Sequence, residues 1–329
     1  MNWRILTGDT LALLPTLDAG SVQTCITSPP YFGLRDYGHD GQIGLEQTPD
    51  AYVAKLVDVF REVRRVLKDD GTLWLNLGDS YASMNRSGRK DSPGVGAKQD
   101  LPPVRTHVRW NAGDGSKFKW RIPAFGTEIK PKDLIGIPWR VAFALQSDGW
   151  YLRQDIIWHK PNPMPESVRD RCTKAHEYVF LLSKSERYFF DNEAIKEPET
   201  MKPQRRLTPR KANPSAKVHG MPAYRQAEGG TGGGMRNRRS VWTVNTRPFA
   251  EAHFATFPPD LVLPMVLAGS REGDTVLDPF NGAGTTGLVA VQEGRRYIGC
   301  ELNPEYVAMS ERRIAGVVPL LVAADMGAK

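Results

Sequence analysis

Residues 27–31, Thr-Ser-Pro-Pro-Tyr, close an apolar run with two hydroxyls, two consecutive imino acids and a phenol. The two prolines fix the local backbone and remove two N–H donors, so the Pro29 carbonyl is held in a set direction with no competing local donor. Ser28 and that carbonyl then form a rigid pair of hydrogen-bond acceptors, and Pro30 keeps them rigid. Such a pair suits an exocyclic amine whose lone pair is delocalised into a ring. Attack by that nitrogen requires it to become more tetrahedral, and acceptors on its protons favour that shape most in the transition state. Tyr31, with Phe32 beside it, could stack on a base drawn out of a duplex. The plainer alternative is a strand-ending turn sealed by an aromatic plug.

A second cluster lies near the other end of the chain. Residues 278–287 read Asp-Pro-Phe-Asn-Gly-Ala-Gly-Thr-Thr-Gly, in which Gly282, Gly284 and Gly287 match G-x-G-x-x-G between an expected strand and an expected helix. Glu301, 17 residues beyond Gly284, ends the next expected strand and could accept the hydroxyls of a ribose. A dinucleotide site, an S-adenosylmethionine site and a mere tight turn all fit this pattern. Asp278 favours the methyl donor: an acid there repels a pyrophosphate and offsets a sulfonium and an ammonium.

Other residues carry less. Cys25, three residues before Ser28, reads as a small buried strand residue, since methylation of an amine needs no covalent nucleophile. His159, His176 and His253 lack metal-ligand spacing, so no metal is expected. The stretch around Lys160 and Asn162 reads as a rim loop that could touch a target strand. Arg236, Arg238 and Arg239 are candidates for phosphate contact.

The elements that would position these groups alternate. "WRILTG" and "VQTCIT" are short, buried-type strands, and residues 49–71 place Val53, Leu56, Val57, Phe60, Val63 and Leu67 at helical spacing, with Gly71 expected to end that helix. "TLWLNLGD" follows as a strand, completing a βαβ unit. A helix within 133–150, strands at 151–160 and 176–185, a helix at 257–270, a strand at 275–280, a helix at 285–294 and a strand at 296–302 complete an α/β series. Residues 81–130 and 196–240 break it.

The 329 residues suffice for one large α/β core, with ordinary hydrophobic (40%) and charged (25%) fractions. Three scattered cysteines suggest neither a disulfide framework nor a zinc site. With no leader-like start and no apolar run of membrane-spanning length, a cytoplasmic protein without membrane association is expected. The net charge of +7 is uneven: residues 81–130 contribute +6 and 196–240 contribute +8, leaving −7 elsewhere. Two basic segments on an acidic core suit a polyanion partner, although solvated loops would have the same composition.

"TSPPY" followed far along the chain by "DPFNGAGTT" resembles the β-class DNA amino-methyltransferases. "ILTGDTLALLPTLDAGSV", "GTLWLNLGDS", "HEYVFLLSKS", "HFATFPPDLVLPMVLAGS" and "GCELNPEYVAMSERRI" resemble further segments of that family. The resemblance implies S-adenosylmethionine as cofactor and a Rossmann-like, mostly parallel sheet with helices on both faces and a circularly permuted motif order. It implies Ser28, Pro29, Pro30 and Tyr31 as catalytic residues, and Asp9, Phe257, Asp278, Phe280, Gly282, Gly284, Thr285, Thr286, Glu301 and Asn303 as the cofactor site. It also implies double-stranded DNA as partner, with Arg35, Lys160, Arg205, Arg206, Arg236, Arg238 and Arg239 as candidate contacts. In the family, Ser at position 28 often accompanies cytosine N4 and Asp usually accompanies adenine N6, so cytosine is favoured and adenine stays as the alternative. The implied divisions are 1–80 with 131–195 as the catalytic half, 81–130 as a basic insertion, 196–245 as a basic target-recognition region, 246–315 as the cofactor half and 316–329 as a tail. A homodimer and a cognate restriction endonuclease stay open as partners. More distant readings are a nicotinamide-dependent oxidoreductase and a non-catalytic DNA-binding protein.

Overall fold

A computed structural model describes residues 2–33, 39, 41–82, 120–121, 128–130, 132–199, 234–247 and 257–317. The chain runs β1 (Trp3–Thr7), α1 (Thr10–Leu13), a 3-10 turn (Leu14–Thr16), β2 (Val22–Thr27), α2 (Pro49–Val66), β3 (Leu67–Leu77), β4 (Trp120–Arg121), β5 (Glu128–Ile129) and α3 (Ile137–Ser147). It continues through β6 (Tyr151–His159), β7 (His176–Ser183), β8 (Glu197–Pro198), β9 (Met235–Arg236), β10 (Val241–Thr243), α4 (Pro259–Gly269), β11 (Thr275–Asp278), α5 (Thr285–Gln292), β12 (Arg296–Glu301) and α6 (Pro304–Ala315). Among the described residues no helix is long and apolar enough to cross a membrane.

Eight strands form one sheet in the order β1-β12-β11-β2-β3-β7-β6-β10. Within that sheet, among the described residues, only β7 runs antiparallel to its neighbours. The permuted order is visible directly: β11 and β12, late in the chain, lie between β1 and β2. Period-two alternation sends successive side chains to opposite faces. Cys25, Leu73, Leu75, Leu77, Phe180, Leu182 and Leu277 join α2 and α3 in one core. Ile26, Trp74, Val179, Leu181 and Val276 join α4 and α5 in the other. Both faces of β2 are covered and all six of its residues are buried, the polar Gln23, Thr24 and Thr27 among them, each with a side-chain hydrogen bond.

Local signals set most helix ends. Thr48 Oγ1 accepts from Ala51 N at 3.1 Å, Pro49 opens α2, Asp50 lies in its first turn, and Arg64 and Arg65 lie in its last. The C-terminus of α2 corrects the expectation at Gly71. The helix stops at Val66, and β3 begins at once, with a shift in its pairing to β2 between Leu67 and Thr72. Gly71 is instead a point of close approach, where a Cβ would lie 2.9 Å from Lys68 O and 3.0 Å from Gln23 O. Strand β10 is a second difference, because it attaches the end of the 196–245 window to the sheet as the outer neighbour of β6.

Candidate active site

Strands β2 and β11 are parallel neighbours, so the residues that follow them, Ser28 and the glycine turn, emerge at the same sheet edge. Asp278, the last residue of β11, ties the two turns together. Its Oδ1 accepts from Thr27 Oγ1 at 2.6 Å and from Phe280 N at 3.0 Å, and its Oδ2 accepts from Thr286 Oγ1 at 2.8 Å. It is 0% exposed, and burial pushes its carboxyl up to about 6 despite those three donors. Asp278, expected to offset the positive groups of the donor, has both oxygens engaged by the chain and braces β2 against β11.

The Ser28–Tyr31 turn is held by Asn76, Glu177 and Tyr52, none of them singled out above. Tyr31 Oη donates to Glu177 Oε2 at 2.7 Å, and Ser28 Oγ donates to Tyr31 Oη at 3.4 Å. Asn76, near the end of β3, places Nδ2 3.2 Å from Ser28 Oγ, 2.8 Å from Tyr31 Oη and 3.1 Å from Glu177 Oε2. An amide has two N–H groups, so these three acceptors share them. Asn76 Oδ1 is buried without a partner, a cost of about 1–3 kcal/mol that the site sustains. Tyr52, on α2, donates from Oη to Pro30 O at 2.8 Å and pins the proline turn. The Tyr31 ring lies against Gly78, where an added Cβ would meet Cε2 at 2.5 Å. Burial, then the Glu177 charge, raises the Tyr31 phenol well above its ordinary pKa, so the hydroxyl keeps its proton.

The glycine turn divides its work. Gly282 has φ +49°, and a Cβ there would meet only Phe280 O, at 3.9 Å, so the space beside it is open. Gly284 and Gly287 instead admit neighbouring elements: Ser310 on α6 approaches the first, and Tyr297 and Ile314 the second. Thr286 holds Asp278, and Thr285 Oγ1 accepts from Arg313 Nη1 at 2.9 Å. Asn281, also missed in the sequence, donates to Gly282 O at 3.0 Å and to Ser310 Oγ at 2.9 Å, while accepting from Tyr297 Oη at 2.8 Å. Asn76, Glu177 and Asn281 share a signal that could have revealed them: each is a polar residue in or beside an apolar strand run.

Glu301 closes β12 half-buried. Its Oε2 accepts from Gly282 N at 2.7 Å and its Oε1 from Asn303 N at 2.9 Å. Burial raises its carboxyl pKa, opposed by those backbone donors. Gly8 N donates to Glu301 O at 2.8 Å, which brings Asp9 to the neighbouring strand end. Asp9 is exposed and caps α1 by accepting from Leu11 N at 3.0 Å; Asn303 caps α6 through Glu305 N at 2.9 Å. Phe257 and Phe280 are half-buried on opposite core faces. An open glycine, two acidic strand ends and two half-buried rings have the chemistry an adenosine bearing a sulfonium requires: acceptors for its hydroxyls and amine, apolar surface for its base.

The basic candidates are mostly paired within the chain. Lys160 Nζ forms an ion pair with Glu177 Oε1 and lies 4.1 Å from the centre of the Trp158 ring. Arg236 and Arg239 place Nε 3.0 and 2.8 Å from Glu197 Oε1, and Arg238 lies over Trp242. Asn162 braces the segment after β10 by accepting from Thr246 N at 3.0 Å. Arg35, Arg205 and Arg206 lie outside the described residues.

Comparison with known proteins agrees with this geometry. Residues 22–312 match the family described as DNA methylase. The chain is 49% identical to the type II methyltransferase M.Cfr9I of Citrobacter freundii over 94% of this chain and 86% of that protein. It is 46% identical to M.SmaI of Serratia marcescens over 94% of this chain and 90% of that one. In fold it resembles the PvuII DNA methyltransferase (cytosine-N4-specific), with a TM-score of 0.60 and 20% identity over 95% of this chain and 86% of that chain. It also resembles the M1.HpyAVI–SAM complex, with a TM-score of 0.52 and 16% identity over 95% of this chain and 98% of that chain. Two turns 250 residues apart in sequence meet at one sheet edge, and the match spans both of them: the chain belongs to the DNA methylase family, the S-adenosylmethionine-dependent DNA amino-methyltransferases.

Proposed function

We propose that the chain methylates the N4 amine of cytosine in double-stranded DNA, as the modifying enzyme of a type II restriction–modification system. The observation that carries this reading is the Ser28 hydroxyl, fixed beside Tyr31 and Asn76 at the edge where β2 meets β11. A hydroxyl rather than a carboxylate at this position supports cytosine. So does the likeness in fold to a methyltransferase named cytosine-N4-specific.

Bound S-adenosylmethionine supplies an electrophilic methyl group on a sulfonium. Asp9 and Glu301 would hold its adenosine, with Phe257 and Phe280 against the base and Gly282 admitting the chain beside it. Ser28 Oγ and the Pro29 carbonyl accept the amine protons and favour the tetrahedral nitrogen that attacks. Tyr52 and Asn76 keep these acceptors from relaxing, so their orientation is set before the base arrives. The ring of Tyr31 bounds the base pocket. Segments 1–80 and 131–195 serve as the catalytic half and 246–315 as the cofactor half. The basic segments 81–130 and 196–245, the latter without β10, hold the DNA backbone. A type II enzyme implies a partner endonuclease acting on the same sequence.

The test is chemical. The protein is incubated with labelled donor and duplex DNA, the DNA is digested, and the nucleosides are separated. N4-methylcytosine is expected. N6-methyladenine would move the target to adenine, for which the same two acceptors serve. Label on carbon 5, in RNA or in protein would sink the reading, as would a Ser28→Ala variant with undiminished activity.

A further inference from the structure

We propose that Glu177 is a positioning residue for proton removal: acting through Tyr31, it draws off the proton that leaves the amine by way of the Ser28 hydroxyl. The proposal rests on the reading of Ser28 as the amine's acceptor. As the N–C bond forms and the donor's C–S bond breaks, the amine nitrogen holds one proton in excess. Ser28 Oγ takes that proton while passing its own to Tyr31 Oη, and Tyr31 passes its own to Glu177 Oε2. The products are the methylated amine, a neutral sulfide and a neutral Glu177 carboxyl, which then loses its proton to water.

The hydrogen bonds already run in this direction. Ser28 donates to Tyr31 at 3.4 Å and Tyr31 donates to Glu177 at 2.7 Å, so each hydroxyl proton points down the chain. The single amide of Asn76 spans all three oxygens and holds them in sequence. Burial, with the Glu177 charge, keeps Tyr31 neutral, which suits a group that relays a proton rather than keeping it. Lys160 pairs with the other oxygen of Glu177, which leaves Oε2 turned to Tyr31. With side-chain exposures of 17% each, Lys160 and Glu177 keep a route to solvent for proton release. Glu177 stands at the start of β7, opposite Trp158 on β6. The charged and titratable groups around it are Tyr31 beyond β2, His159 at the end of β6 and Lys160 just after it, Lys174 just before β7 and His176 at its start.

The experiment measures single-turnover methyl transfer to duplex DNA from acidic to basic pH, together with melting temperature and affinities for donor and DNA. Glu177→Gln should keep fold and both affinities, lose methyl-transfer rate by about 100-fold, and lose the ionisation that limits the wild-type rate in acid. Glu177→Asp should recover part of the rate and restore that ionisation. Tyr31→Phe, which keeps the ring beside Gly78, should show the same change of pH profile, and combining it with Glu177→Gln should add little further loss. A Glu177→Gln protein with wild-type rate and pH profile overturns the proposal. So does a rate loss that merely follows lost stability or lost binding while the profile persists. Should Glu177→Gln fail to fold, Tyr31→Phe decides, and an unchanged acid limb overturns the relay. An inactive Ser28→Ala beside a fully active Glu177→Gln rejects the relay alone, whereas an active Ser28→Ala rejects the underlying reading.

Discussion

Gly78 determines whether Tyr31 can keep its hydroxyl within reach of Glu177 and Asn76. An alanine there places its Cβ 2.5 Å from Tyr31 Cε2 and 3.0 Å from Cδ2, so the ring must shift and carry its hydroxyl off Glu177 and Asn76. Gly78→Ala should therefore lower methyl transfer by about tenfold or more through lost orientation, while costing about 1–3 kcal/mol in unfolding free energy, as overpacking does. Parallel rate and denaturation measurements check both halves. Asp278 yields a prediction in pH. Its carboxyl titrates at about 6 in the fold against 3.8 for the free group, so between these values the native state binds the extra proton. Its contribution to stability is fully present below pH 3.8 and is lost as pH rises through about 6, by at most about 3 kcal/mol. The difference in unfolding free energy, wild type minus Asp278→Asn, should shrink across that window; a constant difference would contradict the assignment. At this scale the sequence was legible where the candidate site lies in one contiguous motif, as in Ser28–Tyr31 or Gly282–Gly284, which the structure brings to one sheet edge. It was not legible where single residues from distant strands converge. Asn76 and Glu177 lie on β3 and β7, and only the pairing of those strands brings both to Tyr31.

Helix α5 is a case in which helix propensity and packing give opposite answers. Replacing an interior glycine by alanine ordinarily stabilises a helix by about 1 kcal/mol. At Gly287 the new Cβ would lie 2.5 Å from Tyr297 Cε1 and 2.6 Å from Ile314 Cδ1, with β12 and α6 pressed onto that point. Overpacking of a rigid core costs about 1–3 kcal/mol, so Gly287→Ala should be net destabilising; chemical denaturation at constant slope would measure it, and a more stable variant would contradict the packing. Gly71 teaches the related lesson from the reading side. After an amphipathic run, a glycine signals a helix end, yet here the helix had ended at Val66 and the residue serves the β2–β3 contact. Periodicity identified α2 and the buried strands because their apolar residues face their own neighbours. Strand β10 lay unread because three residues beside a charged, glycine-rich stretch carry too little periodicity to mark a strand.

At the scale of the whole molecule, charge and strand order make separate predictions. With two segments carrying +6 and +8 against −7 elsewhere, binding to duplex DNA should weaken linearly in the logarithm of salt concentration. Changing Arg205 and Arg206 to alanine should reduce that slope by about 2 if each meets a phosphate, and an unchanged slope would remove them from the interface. Strand order concerns folding itself. Because β12 and β11 insert between β1 and β2, neither end of the chain can complete the sheet alone. A fragment of residues 1–216 leaves β1 without β12 and the fully buried β2 without β11, so it exposes unpaired strand edges and the apolar face that α4 and α5 cover. A fragment of residues 217–329 keeps the β11–β12 pair and α4, α5 and α6, but lacks the β2 and β3 surface on which α4 rests. Each fragment made alone should aggregate. Made together they should reassemble, since the contacts that join them among the described residues include side-by-side strands, the Thr27–Asp278 hydrogen bond and the Lys68–Asp274 ion pair, and none of these requires a continuous chain between Glu199 and Gly234. Donor binding and methyl transfer by the mixed fragments measure the outcome. A soluble, cooperatively melting 1–216 fragment would mean that the catalytic half folds without the cofactor half, contrary to the interleaved sheet.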